Sequence, residues 1–211
     1  MRLHTCTGAP SPRRVTLYLA EKGIELETVE IDLKSGEHLT DEFQAKSPEC
    51  TVPVLELDDG TTLWNSIAIR QYVESLHPEP RLLGRDALER ARVTQYLMWI
   101  EHNGMISAAE AFRNAAKGMA DHALPGRRPV PQIEALVERG TRRFGYFLED
   151  LDAVLAGREY ITGDAFTVAD IDALVMVDFG CRATRAELGA HQHLSGWYER
   201  IRNRPAIRAE G

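Results

Sequence analysis

The residues able to do chemistry lie in four short stretches. In Thr51-Val52-Pro53-Val54 a proline heads a β-branched, apolar run. Lacking an N–H, Pro53 cannot donate to a sheet ladder, so something other than a neighbouring strand must occupy the backbone edge just before it, unless this is an ordinary edge-strand proline. Asn65-Ser66 opens a helical pattern, with Ser66 read as the N-cap. At such a terminus free amides and the positive end of the helix dipole converge, which suits an anion as well as a hydroxyl cap. Ser11-Pro12 reads as a second helix start, with a capping residue followed by proline at the first helical position. His38, in Gly36-Glu37-His38, is a lone loop histidine whose default reading is a solvated side chain. Cys6, Cys50 and Cys181 are odd in number and widely spaced without a CxxC. They suggest neither a disulfide framework nor a zinc site, and no metal is expected.

These stretches need elements to hold them. Residues 1–6 suggest a strand, Val15, Tyr18 and Leu19 a helix ending at Gly23, and 24–33 a second strand. Thr40 to Lys46 is at most a short helix. Val52 to Leu57, the Asp59-Gly60 turn and Thr61 to Trp64 make a hairpin, and a helix follows to about His77. The order β-α-β-(α)-β-β-α is a thioredoxin-like pattern. His77 to Asp86 is rich in proline and charge. Beyond it the pattern is helical over about 86–116, 130–155, 167–181 and 192–203, with 118–131 as a loop. The expected domains are 1–77, α/β and thioredoxin-like, and 87–211, all-helical, joined by a linker over 78–86.

With 211 residues the chain can bury two modest cores without disulfides. Its formal net charge of -7 argues against nucleic acid or an anionic membrane surface as the main partner. No apolar run approaches the roughly 20 residues that span a bilayer, and MRLHTCTGAP lacks a secretory apolar region. The expectation is a cytoplasmic protein with no membrane partner. Thr167-x-x-Asp170 reads as a structural capping box.

Over essentially its whole length the chain resembles the cytosolic glutathione transferases. The resemblance is carried by TVPVLELDDGTTLWNSIAI, by RRVTLYLAEKGI, by FTVADI at Phe166 to Ile171 and by RPAI at Arg204 to Ile207. GEHLTDEF further resembles the branch shared by many bacterial, fungal and plant members. The resemblance implies that Pro53 is cis and that the backbone of Val52 pairs with the cysteinyl unit of glutathione. It implies that Ser66 and Asn65 take the γ-glutamyl end, and that His38 and, more weakly, Thr51 lie near the glycyl carboxylate. Relatives commonly carry Glu or Gln where this chain has Asn65, so a charged partner for the glutamyl ammonium is lost. The implied reaction is conjugation of the glutathione thiolate to a small, apolar electrophile, with glutathione as co-substrate, no other cofactor, and a homodimer. Ala9, Asn103, Ile106 and Ser107 are the candidates for the second-substrate pocket. The rival readings are a thiol-exchange or peroxidase-type enzyme using a protein cysteine, and a non-catalytic glutathione-binding dimerisation module. Against the first, no cysteine stands in Gly8 to Pro12. Cys50, where relatives have glycine, reads as an inert thiol or a site of mixed disulfides.

The thiol-activating group is where this sequence departs from its relatives. They place serine or cysteine immediately before the equivalent of Pro10, and here the residue is Ala9. Moving a thiol pKa from ~8.5 to ~6.5 takes about 2.7 kcal/mol, more than the ~0.3 to 2 kcal/mol of a helix dipole. Ser11 is the nearest hydroxyl in sequence, either as a cap or as a donor to the thiolate. Thr7, or a water held through Asn103 or Ser107, are the alternatives.

Overall fold

The computed structural model describes residues 1–209, so the last two positions of the expected helical domain, 210 and 211, lie outside the described residues. The chain forms two compact units: residues 1–80 with 124–129, and residues 81–123 with 130–209. The division at Pro80 and Arg81 falls within the 78–86 stretch.

The first unit runs β1 (Arg2–Thr5), α1 (Pro10–Lys22), β2 (Glu27–Glu30), a 3-10 turn (Glu37–Leu39), α2 (Asp41–Lys46), β3 (Val54–Glu56), β4 (Thr62–Trp64) and α3 (Ser66–Leu76). The sheet order is β2-β1-β3-β4, with β1 and β2 parallel and the other pairs antiparallel. This is the thioredoxin-like arrangement, a βαβ unit completed by a hairpin and a helix. Leu3, Val54 and Leu55 are buried, as are Val15, Tyr18 and Leu19 of α1 and Ile69 and Val73 of α3. The Tyr18 hydroxyl donates to Glu74 at 2.6 Å, joining α1 to α3, and burial pushes this phenol's pKa up. Phe43 anchors α2 in a cluster with Ile31, Val52 and Val54. Glu56 accepts from Lys46 at 2.8 Å and pairs with His4 Nε2 at 2.7 Å; these two contacts hold its carboxyl at about 2.

The second unit contains α4 (Ala87–Ile100), a π-helical turn (Glu101–Met105), α5 (Ile106–Ala115), α6 (Glu134–Leu155), α7 (Val168–Thr184), α8 (Gln192–Arg202) and α9 (Pro205–Ala209). Its centre is α7, in which every residue from Val168 to Val177 is buried and which packs against α4, α5, α6 and α8. Glycines permit the closest approaches. A Cβ on Gly180 would lie 2.1 Å from the Phe144 ring, and one on Gly140 2.6 Å from the Ser107 carbonyl oxygen. The capping box forms as the sequence suggests, with Thr167 accepting from Ala169 and Asp170 Oδ2 from the Thr167 amide. Asp170 does more than cap. Its Oδ1 also accepts from the Ile161 amide and from Trp197 Nε1, both at 3.0 Å, tying a loop and α8 to α7. Burial raises its pKa to about 6 even though these donors favour the charged form. Each donor left without its acceptor here would cost about 1–3 kcal/mol.

Several boundaries differ from the sequence reading. Strand β2 is four residues instead of about ten, because β1 offers only Arg2 to Thr5 as partners. The long helix expected over 86–116 is interrupted at Glu101–Met105, beside buried Gly104, where an added Cβ would meet Phe147 at 3.0 Å. Helix α6 starts at Glu134 because Val130 instead bonds to the backbone of Asp121 and Ala123, with Pro131 following. Helix α9 was not expected.

Candidate functional site

The sheet places two of the chemical stretches. The last pair of β3 with β4 is Val54↔Trp64 and that of β1 with β3 is His4↔Val54, so both ladders of this interior strand stop at Val54, just after Pro53. The peptide groups of Val52 lie beyond the paired part of the sheet, and Cys6 packs against the cluster containing Val52. At this same end of the sheet β1 leads into α1 and β4 into α3. The Val52–Pro53 peptide is cis, as the resemblance implies, and both residues are buried.

The start of α3 differs in one respect from the sequence reading. Asn65, not Ser66, is the N-cap: its Oδ1 accepts from the Ile67 amide at 2.8 Å. Asn65 has φ 83°, a region that asparagine tolerates better than most residues, and the chain turns there from β4 into the helix. Ser66 is thus the first helical residue, and its side chain, 3% exposed, is not used as the cap. The amides of Ser66 and Ala68 have no acceptor within the helix, so the terminus keeps donors for an anion. Beneath it the fully buried Arg70 donates through Nε to the Ser66 carbonyl oxygen at 3.1 Å.

Helix α1 also starts elsewhere than expected. Its N-cap is Ala9, with no side-chain cap bond, and Pro10 is the first helical residue. The capping role of Ser11 is therefore incorrect: proline at the first position is already pre-set in φ, so the helix begins one residue before the serine. With Pro10 and Pro12 at the first and third positions, only Ser11 of the first three can present an N–H. Arg14, buried, donates from Nη2 to Ser11 Oγ at 3.0 Å. The oxygen accepts, so the hydroxyl proton is directed elsewhere. Thr7 is occupied otherwise, its amide and hydroxyl both bonding to Glu30 at 2.6 and 3.2 Å.

The remaining candidates fall on either side of α2 or on the long helices. His38 is half-buried in the 3-10 turn before α2, and Thr51 follows α2, its amide donating to Ser47 Oγ at 3.2 Å. Within the second unit, Asn103 Nδ2 donates to the Trp99 carbonyl at 3.0 Å and Ser107 Oγ to the carbonyls of Asn103 and Gly104. Ser107 is fully buried, and its hydroxyl bonds to carbonyls beside the π turn. Ile106 is exposed.

All three thiols have their pKa raised. Burial raises Cys6, with Glu30 adding to it; burial raises Cys50 against the opposing pull of Arg127; and burial brings Cys181 to about 11. Cys50 carries φ 52°, the left-handed region in which glycine is at ease. Sequence reading missed two contributors. Arg14 was hidden because a buried arginine looks like any charge on an amphipathic helix, and Arg70 for the same reason.

Comparisons with known proteins agree with this geometry. The N-terminal domain family of the glutathione S-transferases matches residues 9–76, and their C-terminal domain family residues 115–205. A Saccharomyces cerevisiae protein described as Glutathione S-transferase 2 is 32% identical across 99% of this chain and 88% of its own length. Among solved structures, Gtt2 from Saccharomyces cerevisiae matches with a TM-score of 0.92 at 30% identity, covering 100% of both chains. A glutathione S-transferase domain-containing protein from Marinobacter aquaeolei matches with a TM-score of 0.90 at 34% identity, covering 98% of this chain and 100% of that one. With both family domains matched in order and a relative aligned nearly end to end, the chain belongs to the glutathione S-transferase family.

Proposed function

We propose that this transferase lays glutathione along the edge at Val52 and activates its thiol at the start of α1. The observation that carries this reading is that both ladders of β3 stop at Val54, just after the buried cis Val52–Pro53 peptide, at the end of the sheet where β4 turns through Asn65 into α3. The cysteinyl backbone takes the N–H and C=O of Val52 beside Pro53, and the γ-glutamyl carboxylate takes the start of α3 at Ser66 and Asn65. His38 and Thr51 hold the glycyl end. Glutathione is the co-substrate, with no further cofactor, and the second substrate is a small apolar electrophile. The setting is a homodimer in the cytoplasm, acting in detoxification. No helix among the described residues is long and apolar enough to cross a membrane. Three protein thiols whose pKa burial raises, none of them between Gly8 and Pro12, disfavour the rival in which a protein cysteine carries the reaction.

Thiol activation rests on Ser11. The two prolines leave the helix start short of amide donors, and the dipole's ~0.3 to 2 kcal/mol falls below the roughly 2.7 kcal/mol needed. Ser11 can add both its amide and a hydroxyl whose oxygen is already engaged by the Arg14 guanidinium. A hydroxyl that accepts from a cation is a stronger donor to a thiolate. Protonated glutathione would lose this stabilisation, so at saturating glutathione kcat/KM for the electrophile should rise with pH through the bound thiol's depressed pKa and level off above it.

Three outcomes are expected. Calorimetric titration should show Ser66→Ala binding glutathione about 1 to 3 kcal/mol more weakly than wild type; an unchanged dissociation constant removes Ser66 from the site. With an activated aryl halide, Ser11→Ala should move the rise of kcat/KM to higher pH by about one unit or more. A profile that stays where the wild type has it excludes Ser11 as the donor. Light scattering at micromolar concentration should give twice the chain mass, whereas a monomer would contradict the homodimer.

A further inference from the structure

The glycyl end of the proposed glutathione site has a carboxylate to neutralise. Thr51 brings no charge, and Lys46, close by in sequence, is committed to Glu56. A cation reaches this region from far along the chain. Leu124–Pro129, sixty residues and more beyond the hairpin in sequence, belongs to the first compact unit. Arg127 Nη1 there bonds to Asp41 Oδ1 at 2.7 Å and to Gln44 Oε1, on the exposed face of α2. Gly126 approaches the Glu49 carbonyl oxygen, which an added Cβ would meet at 3.6 Å. Arg127 is thus held beside the segment joining α2 to Cys50 and Thr51.

We propose that Arg127 is a specificity-determining residue that neutralises the glycyl carboxylate of glutathione. This deepens the preceding reading and rests on it. The guanidinium has five N–H donors, and Asp41 and Gln44 draw on one nitrogen, Nη1. The Arg127 side chain is 40% exposed, so its other donors remain reachable, and a planar fork suits a carboxylate. The Asp41 side chain is 91% exposed, so that ion pair is weak and gives way readily to a substrate carboxylate. The field of Arg127 reaches the right place, since it opposes the burial that raises the Cys50 thiol. The loop is also stiffened for the task. Pro125 and Pro129 bracket Gly126-Arg127-Arg128, which limits the entropy lost in holding Arg127 in position.

The test is calorimetric titration of wild type, Arg127→Ala and Arg127→Gln with two ligands: glutathione, and glutathione whose glycyl carboxylate is a primary amide. Both variants should bind glutathione about tenfold more weakly than wild type while binding the amide within about twofold of it. Equal weakening for both ligands would reduce Arg127 to a strap on α2, and no weakening for either would remove it from the site; each overturns the proposal. Wild type that binds glutathione no better than the amide overturns it too. Wild type that binds neither would overturn the glutathione site itself, a result distinct from the others.

Discussion

A sheet ladder that runs out is the constraint from which the site follows. Pairing between β3 and its neighbours begins at Val54, immediately after a proline that has no N–H to offer. The backbone at Val52 is left beyond the ladders of both neighbouring strands. Because β1 feeds α1 and β4 feeds α3 at the same edge, two helix N-termini arrive beside it. Peptide recognition by an extended backbone edge supplies directional hydrogen bonds, and a helix terminus supplies a place for a carboxylate.

Two buried arginines brace the first turns of the helices that start here. Arg70 lies beneath the start of α3 and bonds to the Ser66 carbonyl, while Arg14 lies beneath the start of α1 and bonds to Ser11. Each spends a charge in the interior where a charge is costly, and each sits one turn from a helix terminus. The helical unit is organised differently. Asp170 joins three segments, glycines bring helices into close contact, and the hydroxyl of Ser107 is consumed by the helix's own carbonyls. Its polar groups near the π turn are occupied with holding the helix together.

Much of this was legible in the sequence. The alternation of strands and helices, Asp59-Gly60, the Val-Pro pair and the Thr-x-x-Asp box are local signals, and each formed where local chemistry put it. The caps of α1 and α3 were displaced by two residues and by one, and the reason is instructive. Serine was favoured as a cap at Ser11 and Ser66, but Pro10 pre-sets the first turn and Asn65 can adopt a positive φ that serine resists. That displacement leaves both serine side chains out of the capping bonds. Contacts between distant segments could not be read from one sequence: nothing in LPGRRP shows that Arg127 meets Asp41, and nothing in the 86–116 pattern shows that Gly104 must pack against Phe147.

The central claim, that glutathione binds along the edge at Val52 and into the start of α3, is tested most directly by backbone amide chemical shifts of the labelled protein titrated with glutathione. The account predicts saturable shifts concentrated at Val52, Ser66 and Ala68, with Ile67, whose amide is already bonded to Asn65, moving less. Shifts confined to other parts of the chain, or none at these amides at saturating glutathione, would contradict it.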